Sequence, residues 1–418
     1  MRNIFQYLFC ICILLSGCEN RNKSNASDIS SQVNNTDSLI LSEEDYDDSD
    51  MVYILDFEHT VKNMLPDTFT INSIAKDIKF ILLETTSDAL LQVPDFKIAK
   101  INDSYYISSG DTRMANFSGI LKFDSTGVFL DYLMLKTFGN GPNELPYRVT
   151  NWTSNQYAKL LLASSGHQIL LHSFDNNTTN KYTLNTSSWQ ECILNDWTMV
   201  SLPNYLGYGG NPDIPYLHFW NQEAEIVHSV YYPKKKDIAF PIAEGGAPLS
   251  TYALYPQFDG DALFRDILSD TIYRIHSMYD IKPYIVIHRG DLTPIVKDAT
   301  DRTTRNQKIY FGEPLDTKKY IFIKYGHRNE RYSTIWDKKT MKLIANTKAD
   351  LSDEYEKMVS GNWNFIKYRM PNGKKVLISI SYYMDGKIYA ALDAEQAMEF
   401  LPGIVYDDNP VLMIIDIG

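Results

Sequence analysis

Among the side chains of this sequence that could do chemistry, the cysteines are few and informative. Four occur, at Cys10, Cys12, Cys18 and Cys192. Cys10 and Cys12 lie in an apolar run from Ile4 to Leu15, Cys18 follows Leu15-Ser16-Gly17, and Cys192 stands alone far downstream. A thiol behind small residues at the end of an apolar run is placed for processing and acylation, whereas a solitary thiol packs most simply as a small hydrophobe. The eight histidines, His59, His167, His172, His218, His228, His276, His288 and His327, include no H-E-x-x-H and no pair three or four residues apart. Spacing therefore marks no zinc site. No Gly-x-Ser-x-Gly elbow occurs, and the stretch Gly139-Asn140-Gly141-Pro142 lacks the Gly-Lys-Ser/Thr ending of a phosphate loop. Its glycines suit a turn that needs positive φ, with Glu144 placed to bond the backbone beside it. No catalytic residue and no metal ligand can be picked out by spacing. A site assembled from separate strands leaves no such signature, so an enzyme stays open.

Cys18 gains its meaning from what precedes it. Met1-Arg2-Asn3, the run to Leu15 and the small residues Ser16 and Gly17 form the charged start, apolar middle and cleavage site of a signal peptide. About 12 apolar residues are too few to span a hydrocarbon core, which needs about 20 in a helix. Leu15-Ser16-Gly17-Cys18 resembles the lipobox of bacterial lipoproteins, which implies cleavage before Cys18 and a diacylglycerol on its thiol. Two or more acyl chains hold a protein stably on a membrane. Once Cys10 and Cys12 leave with the leader and Cys18 is acylated, Cys192 has no disulfide partner.

The sequence therefore divides into a leader at 1–17, a lipidated flexible tether at 18–50 and a domain at 51–418. The tether is rich in Asn, Ser, Asp and Glu, a composition that buries too little apolar surface to order itself. Its acidic run Ser42 to Asp50 lacks the spaced carboxylates and glycine of an EF-hand. Asp37-Ser38-Leu39 resembles the Asp-Ser/Thr-apolar sites that carry O-glycans on exported Bacteroidota proteins, which makes Ser38 a candidate for glycosylation. The net charge of −12 and pI near 5.2 argue against nucleic acid as a partner, because phosphates call for a basic face.

From Met51 onward, short β-branched and aromatic runs alternate with turn residues, and long helical periodicity is nearly absent. Ile78 to Leu83, Ser104 to Ile107, Lys159 to Leu162, Tyr320 to Ile323 and Val411 to Ile415 read as strands; 352–359 and 393–400 read as short helices. Phe123-Asp124-Ser125-Thr126-Gly127, Phe174-Asp175-Asn176-Asn177, Tyr232-Pro233-Lys234-Lys235 and Trp336-Asp337-Lys338-Lys339 read as turns between strands. Their spacing loosely fits a repeat of about 40 to 50 residues, one four-stranded blade each. The expected fold is all-β, a six-bladed β-propeller behind the leader and tether. A strand ending at the C-terminus needs a partner along its edge. The segment around Tyr53 is the expected one, closing the ring in the last blade.

With Phe80 to Thr86, Ile120 to Phe129, Phe138 to Leu145 and Asp270 to Ile275 in view, the chain resembles the six-bladed β-propeller lipoproteins of Bacteroidota. The loop Phe138-Gly139-Asn140-Gly141-Pro142-Asn143-Glu144-Leu145 is the most specific match, although Asn143 replaces the usual glycine and Leu145 the usual aromatic. The resemblance implies a fold and an exported address in the cell envelope, on the outer membrane with its face undecided. It implies no reaction. The leading expectation is a binding or scaffold module that holds a glycan, peptide or partner protein at the end face around the channel. The aromatic cluster Tyr205 to Tyr208, Tyr216, Phe219 and Trp220 could line a groove or pack between blades. The rival expectation is a propeller hydrolase or lyase with a calcium ion in its channel; no other cofactor is expected.

Overall fold

The strands fall into six sheets arranged as a six-bladed β-propeller. The computed structural model describes residues 51–418 except 64, 92–95, 110–118, 135–144, 146–148, 150, 204–214, 232–251, 257–258, 267–268, 296–297, 299–301 and 362–363. Blade 1 comprises Lys97–Ile101, Ser104–Ser108, Ile120–Asp124 and Phe129–Met134; blade 2 comprises Asn151–Asn155, Leu160–Ser165, Gln168–Ser173 and Thr178–Thr183. Blade 3 runs from Ser188–Ile193 to Ile226–Tyr231, blade 4 from Tyr252–Pro256 to Asp280–His288, and blade 5 from Tyr310–Asp316 to Lys342–Lys348. Blade 6 is built on Lys375–Met384, Lys387–Leu392 and Val411–Asp416.

Strands with apolar residues on both faces explain why the blades stack. All six residues of Leu160–Ser165 are buried. Leu161 and Ala163 pack with Ala99, Tyr106 and Ile120 of blade 1, whereas Leu160 and Leu162 pack with Ile193, Met199 and Trp220 of blade 3. The period-2 alternation of a strand thus sends successive side chains to opposite neighbours. The same sorting makes further cores between blades 3 and 4, 4 and 5, 5 and 6, and 6 and 1. The last of these joins Tyr389, Ala391 and Leu412 to Ile98, Tyr105 and Leu121, so the packing closes on itself. Each large aliphatic side chain so buried stabilises the fold by roughly 1.5–3 kcal/mol.

Ring closure differs from the sequence expectation. Tyr53–Asp56 runs parallel to the outer strand of blade 4, with Tyr53 opposite Ile285 and Asp56 opposite His288. The strand that pairs with the C-terminal Val411–Asp416 is Asp77–Leu82, antiparallel from Asp77↔Asp416 to Leu82↔Val411. The physical reason lies in the aromatic residues. Tyr53 and Leu55 bury themselves in the core between blades 4 and 5, where Tyr53 meets Tyr284 edge-on at 5.4 Å and Phe57 meets Tyr325 at 5.3 Å. In blade 6, Asn364–Arg369 pairs only with Lys375 to Ile380, leaving Ser381 to Tyr383 to border the channel.

Local chemistry explains the turns. Asp124 Oδ1 accepts from the N–H groups of Thr126 at 2.8 Å and Val128 at 3.0 Å; Asp337 Oδ1 accepts from Thr340 N–H at 2.7 Å. Asn176 Oδ1 accepts from Thr178 N–H at 3.2 Å. These side chains hold the turn between the two outer strands of blades 1, 5 and 2, as Asx residues commonly do. Gly127, at φ +96°, is required because a Cβ there would lie 2.1 Å from the carbonyl oxygen of Leu82 on the closing strand. The expected helices appear as Glu354–Val359 and Ala394–Ala397, capped by Asp353 and Asp393. The turn expected at Tyr232 to Lys235 lies outside the described residues.

Candidate functional site in the channel

A cavity of about 170 Å³ lies where the blades converge. Every blade contributes to its wall: Lys97 and Ile98, Asn151 to Ser154, Gln190 and Glu191, Leu254 to Pro256, Glu313 to Asp316, and Ser381 to Tyr383. Five of these segments belong to the first strand of their blade, and the sixth is the end of Lys375–Met384 that extends beyond its pairing with Asn364–Arg369. Sheet topology alone therefore brings Lys97, Glu191 and Glu313 to one space from positions far apart in the chain.

Glu191 is buried and saturated with donors. Ser164 Oγ donates to Oε2 at 2.7 Å and Asn151 Nδ2 at 3.2 Å, while Ser188 Oγ donates to Oε1. Burial nevertheless pushes its carboxyl up to about 7, against the pull of Ser164, Asn151 and Lys97 toward the ionised form. Glu313 is likewise pushed up to about 7 by burial, opposed by Lys97, Lys324 and Arg265. It keeps some accessible area because it borders the cavity, yet the protein packed around it removes most of its hydration.

The cations respond in the opposite sense. Lys97 donates to Asn151 Oδ1 at 3.3 Å and to Trp152 O, with its ammonium 5.0 Å from the Trp152 ring centre. Burial lowers its pKa despite Glu313 and Glu191 nearby. Lys324, which donates to Gly361 O at 2.7 Å, is lowered to about 8 by burial against the pull of Glu313. Arg265 donates to the carbonyls of Phe311 and Gly312, and its buried Nε has no hydrogen-bond partner. Acids raised and bases lowered around a concave space are the arrangement expected of a functional site. At the cavity edge, Asp316 lies 3.0 Å from Lys338 Nζ and accepts from Tyr284 OH at 2.7 Å, a buried network without spare charge.

The residues singled out from sequence do not converge here. Cys18, Ser38, the Gly139 to Glu144 loop and Tyr205 to Tyr208 lie outside the described residues. Cys192 is fully buried between blades 3 and 4, and burial raises its thiol pKa, so it stays protonated. Phe219 and Trp220 are core residues on Pro215–Trp220, and Tyr216 packs 5.2 Å from Phe264. The histidines are dispersed over several blades: His172 meets Thr179 Oγ1 and His218 meets Ser229 Oγ, each at 2.9 Å, and burial lowers both pKa values. Among the described residues, no three His, Cys, Asp or Glu side chains are grouped to hold a metal. Calcium takes about six to eight oxygens. The cavity wall carries the carboxyl groups of Glu191, Glu313 and Asp316, with Lys97 among them. Spacing does not point to Glu191 or Glu313, although Glu191 stands beside Cys192-Ile193 and Glu313 between Phe311-Gly312 and Pro314-Leu315 within their strands.

Residues 52–416 match the family described as "Domain of unknown function (DUF4934)". This chain belongs to that family. The DUF4934 fold superposes on a Bacteroides fragilis protein named as a candidate exported protein with a TM-score of 0.60 at 16% identity, over 87% of this chain and 99% of that one. A DUF4221 family member from Bacteroides vulgatus gives 0.47 at 11% identity, over 82% and 96%. A virginiamycin B lyase from Staphylococcus aureus gives 0.41 at 10% identity, over 81% and 99%. At such identities the likeness is one of fold. Among curated proteins none matches.

Proposed function

We propose that this DUF4934 chain is a lipid-anchored binding propeller of the cell envelope whose channel cavity takes a small polar ligand or the end group of a glycan, peptide or partner protein. The observation that carries the reading is the cavity itself, which gathers Lys97, Glu191 and Glu313 in desolvated positions from three blades. Desolvating charge costs stability, and a fold retains such groups where a ligand makes use of them. Support for the address comes from the lipobox at Cys18 and from the exported relative in Bacteroides. No helix among the described residues is long and apolar enough to cross a membrane.

Ligand screening by thermal shift tests the reading, using the full chain in detergent beside a Ser381→Phe variant. Ser381 borders the cavity, so the larger ring fills it. A ligand that raises the melting temperature of the natural chain and not of Ser381→Phe supports channel binding. Equal shifts in both proteins refute it. Metabolic labelling with an alkyne fatty acid tests the anchor, where Cys18→Ala should lose both label and membrane association. An intact-mass comparison with Ser38→Ala tests the glycan, and equal unglycosylated masses would end that part of the proposal. A calcium-dependent hydrolase or lyase is the second reading, supported by two carboxyls able to hold or release a proton near neutrality.

A further inference from the structure

Lys97 of blade 1 and Glu313 of blade 5 border the same cavity and act on each other electrostatically. They do not meet: among the described residues no ion pair within 4.0 Å joins them. Lys97 spends two of its three N–H donors on Asn151 and Trp152 and keeps one. The Glu313 carboxylate accepts no hydrogen bond among the described residues; its backbone carbonyl alone is engaged, by Asn364 Nδ2 at 2.8 Å. Thr153, only 2% exposed and also on the cavity wall, has a hydroxyl without a partner.

Three kinds of ligand can be weighed against this geometry. A simple anion would satisfy Lys97 and repel Glu313, and a simple cation would do the reverse. A neutral polyol would bond both but compensate neither charge. A molecule carrying one cation and one anion suits both walls and adds no net charge to the site. Size narrows the choice, since an apolar cavity of about 150 Å³ can hold a benzene ring. The space here is comparable, about 170 Å³, enough for an amino-acid head group with a small side chain. Trp152, Tyr255 and Tyr382 supply aromatic wall, and an ammonium is favoured beside such rings.

Building on the channel-binding reading, we propose that the cavity is a site for a zwitterion of amino-acid size, its ammonium held by Glu313, its carboxylate by Lys97, with Thr153 bonding either end. Binding fixes Glu313 in its ionised form. Because that carboxyl otherwise holds a proton over much of the range up to about 7, uptake of ligand near neutrality releases protons.

Isothermal titration calorimetry tests this on the full chain in detergent, with glycine, L-alanine and L-serine as zwitterions, acetate and methylammonium as half-ligands, and glucose as the neutral polyol. The expected result is that at least one amino acid binds, that either half-ligand binds about tenfold or more weakly, and that Glu313→Gln and Lys97→Met each weaken the amino acid about tenfold or more, the loss of one charge-assisted hydrogen bond. Buffers of different ionisation enthalpy should report proton release in the natural chain and none in Glu313→Gln. Circular dichroism establishes that both variants are folded. Glucose or acetate binding as well as the amino acid, or undiminished binding by folded Glu313→Gln, overturns the zwitterion. If a neutral ligand binds and Ser381→Phe blocks it, the channel reading stands while this inference fails. If no probe of any class binds, both fail.

Discussion

Replacing Glu191 by Gln should stabilise the protein at neutral pH and do so progressively as pH rises. In the unfolded chain this carboxyl ionises near 4.5, whereas burial pushes it up to about 7 in the fold. Between those values the folded state binds the proton and the unfolded state does not, so unfolding releases a proton and rising pH favours it. Each pKa unit corresponds to ~1.4 kcal/mol, so the natural protein loses ~3 kcal/mol across this window and nothing further above it. The variant carries no such proton. Its amide oxygen can still accept from Ser164 and Asn151, and the Ser188 hydroxyl can turn to accept from the new amide. The pull of Lys97 on the ionised carboxyl is already contained in the value of about 7. Urea unfolding of both proteins, measured from about pH 4.5 to about pH 8, gives the difference directly. A difference that stays flat between about pH 4.5 and about pH 7, or that falls, refutes the burial argument.

The two N-terminal strands should behave differently. Deleting 77–82 removes the partner of the C-terminal strand and opens the ring, so the chain should fail to give a cooperative thermal transition. Deleting 51–57 uncovers Tyr284 and Tyr325 but leaves the ring closed, and should lower the melting temperature while keeping one transition; equal effects would contradict the assigned closure. Lys338→Met leaves buried Asp316 without its cation and should cost ~3–5 kcal/mol in urea unfolding, much of it recovered when Asp316→Leu is added. Calcium and a chelator should each leave the melting temperature unchanged; a calcium-dependent rise abolished by chelator would favour the hydrolase or lyase reading.

What could be read in the sequence, and what could not, follows from the range of the interactions concerned. Strands and turns are local: Asp124, Asn176 and Asp337 bond backbone groups a few residues away, so their turns are visible from composition alone. The continuous burial of Leu160–Ser165 is visible too, because a strand packed on both faces has no reason to alternate. Closure is not local. Tyr53–Asp56 and Asp77–Leu82 both read as strands, and choosing between them requires knowing that Tyr53 and Phe57 have a receiving surface in Tyr284, Tyr325 and Trp336, residues hundreds of positions away. Gly127 held the better clue, since its positive φ exists to let the turn of blade 1 approach the backbone of Leu82. The channel is the extreme case. Lys97, Glu191 and Glu313 come from blades 1, 3 and 5, and nothing in their spacing relates them. Their individual settings do carry a signal: Glu191 lies between Trp189-Gln190 and Cys192-Ile193, and Glu313 between Phe311-Gly312 and Pro314-Leu315. A carboxylate inside the first strand of a blade must face either a neighbouring blade or the channel. Glu191 does both, accepting from Ser164 and Asn151 of blade 2 while bordering the cavity, whereas the Glu313 carboxylate borders the cavity and accepts no hydrogen bond among the described residues, so the sequence alone marks the strand but not which way the acid turns.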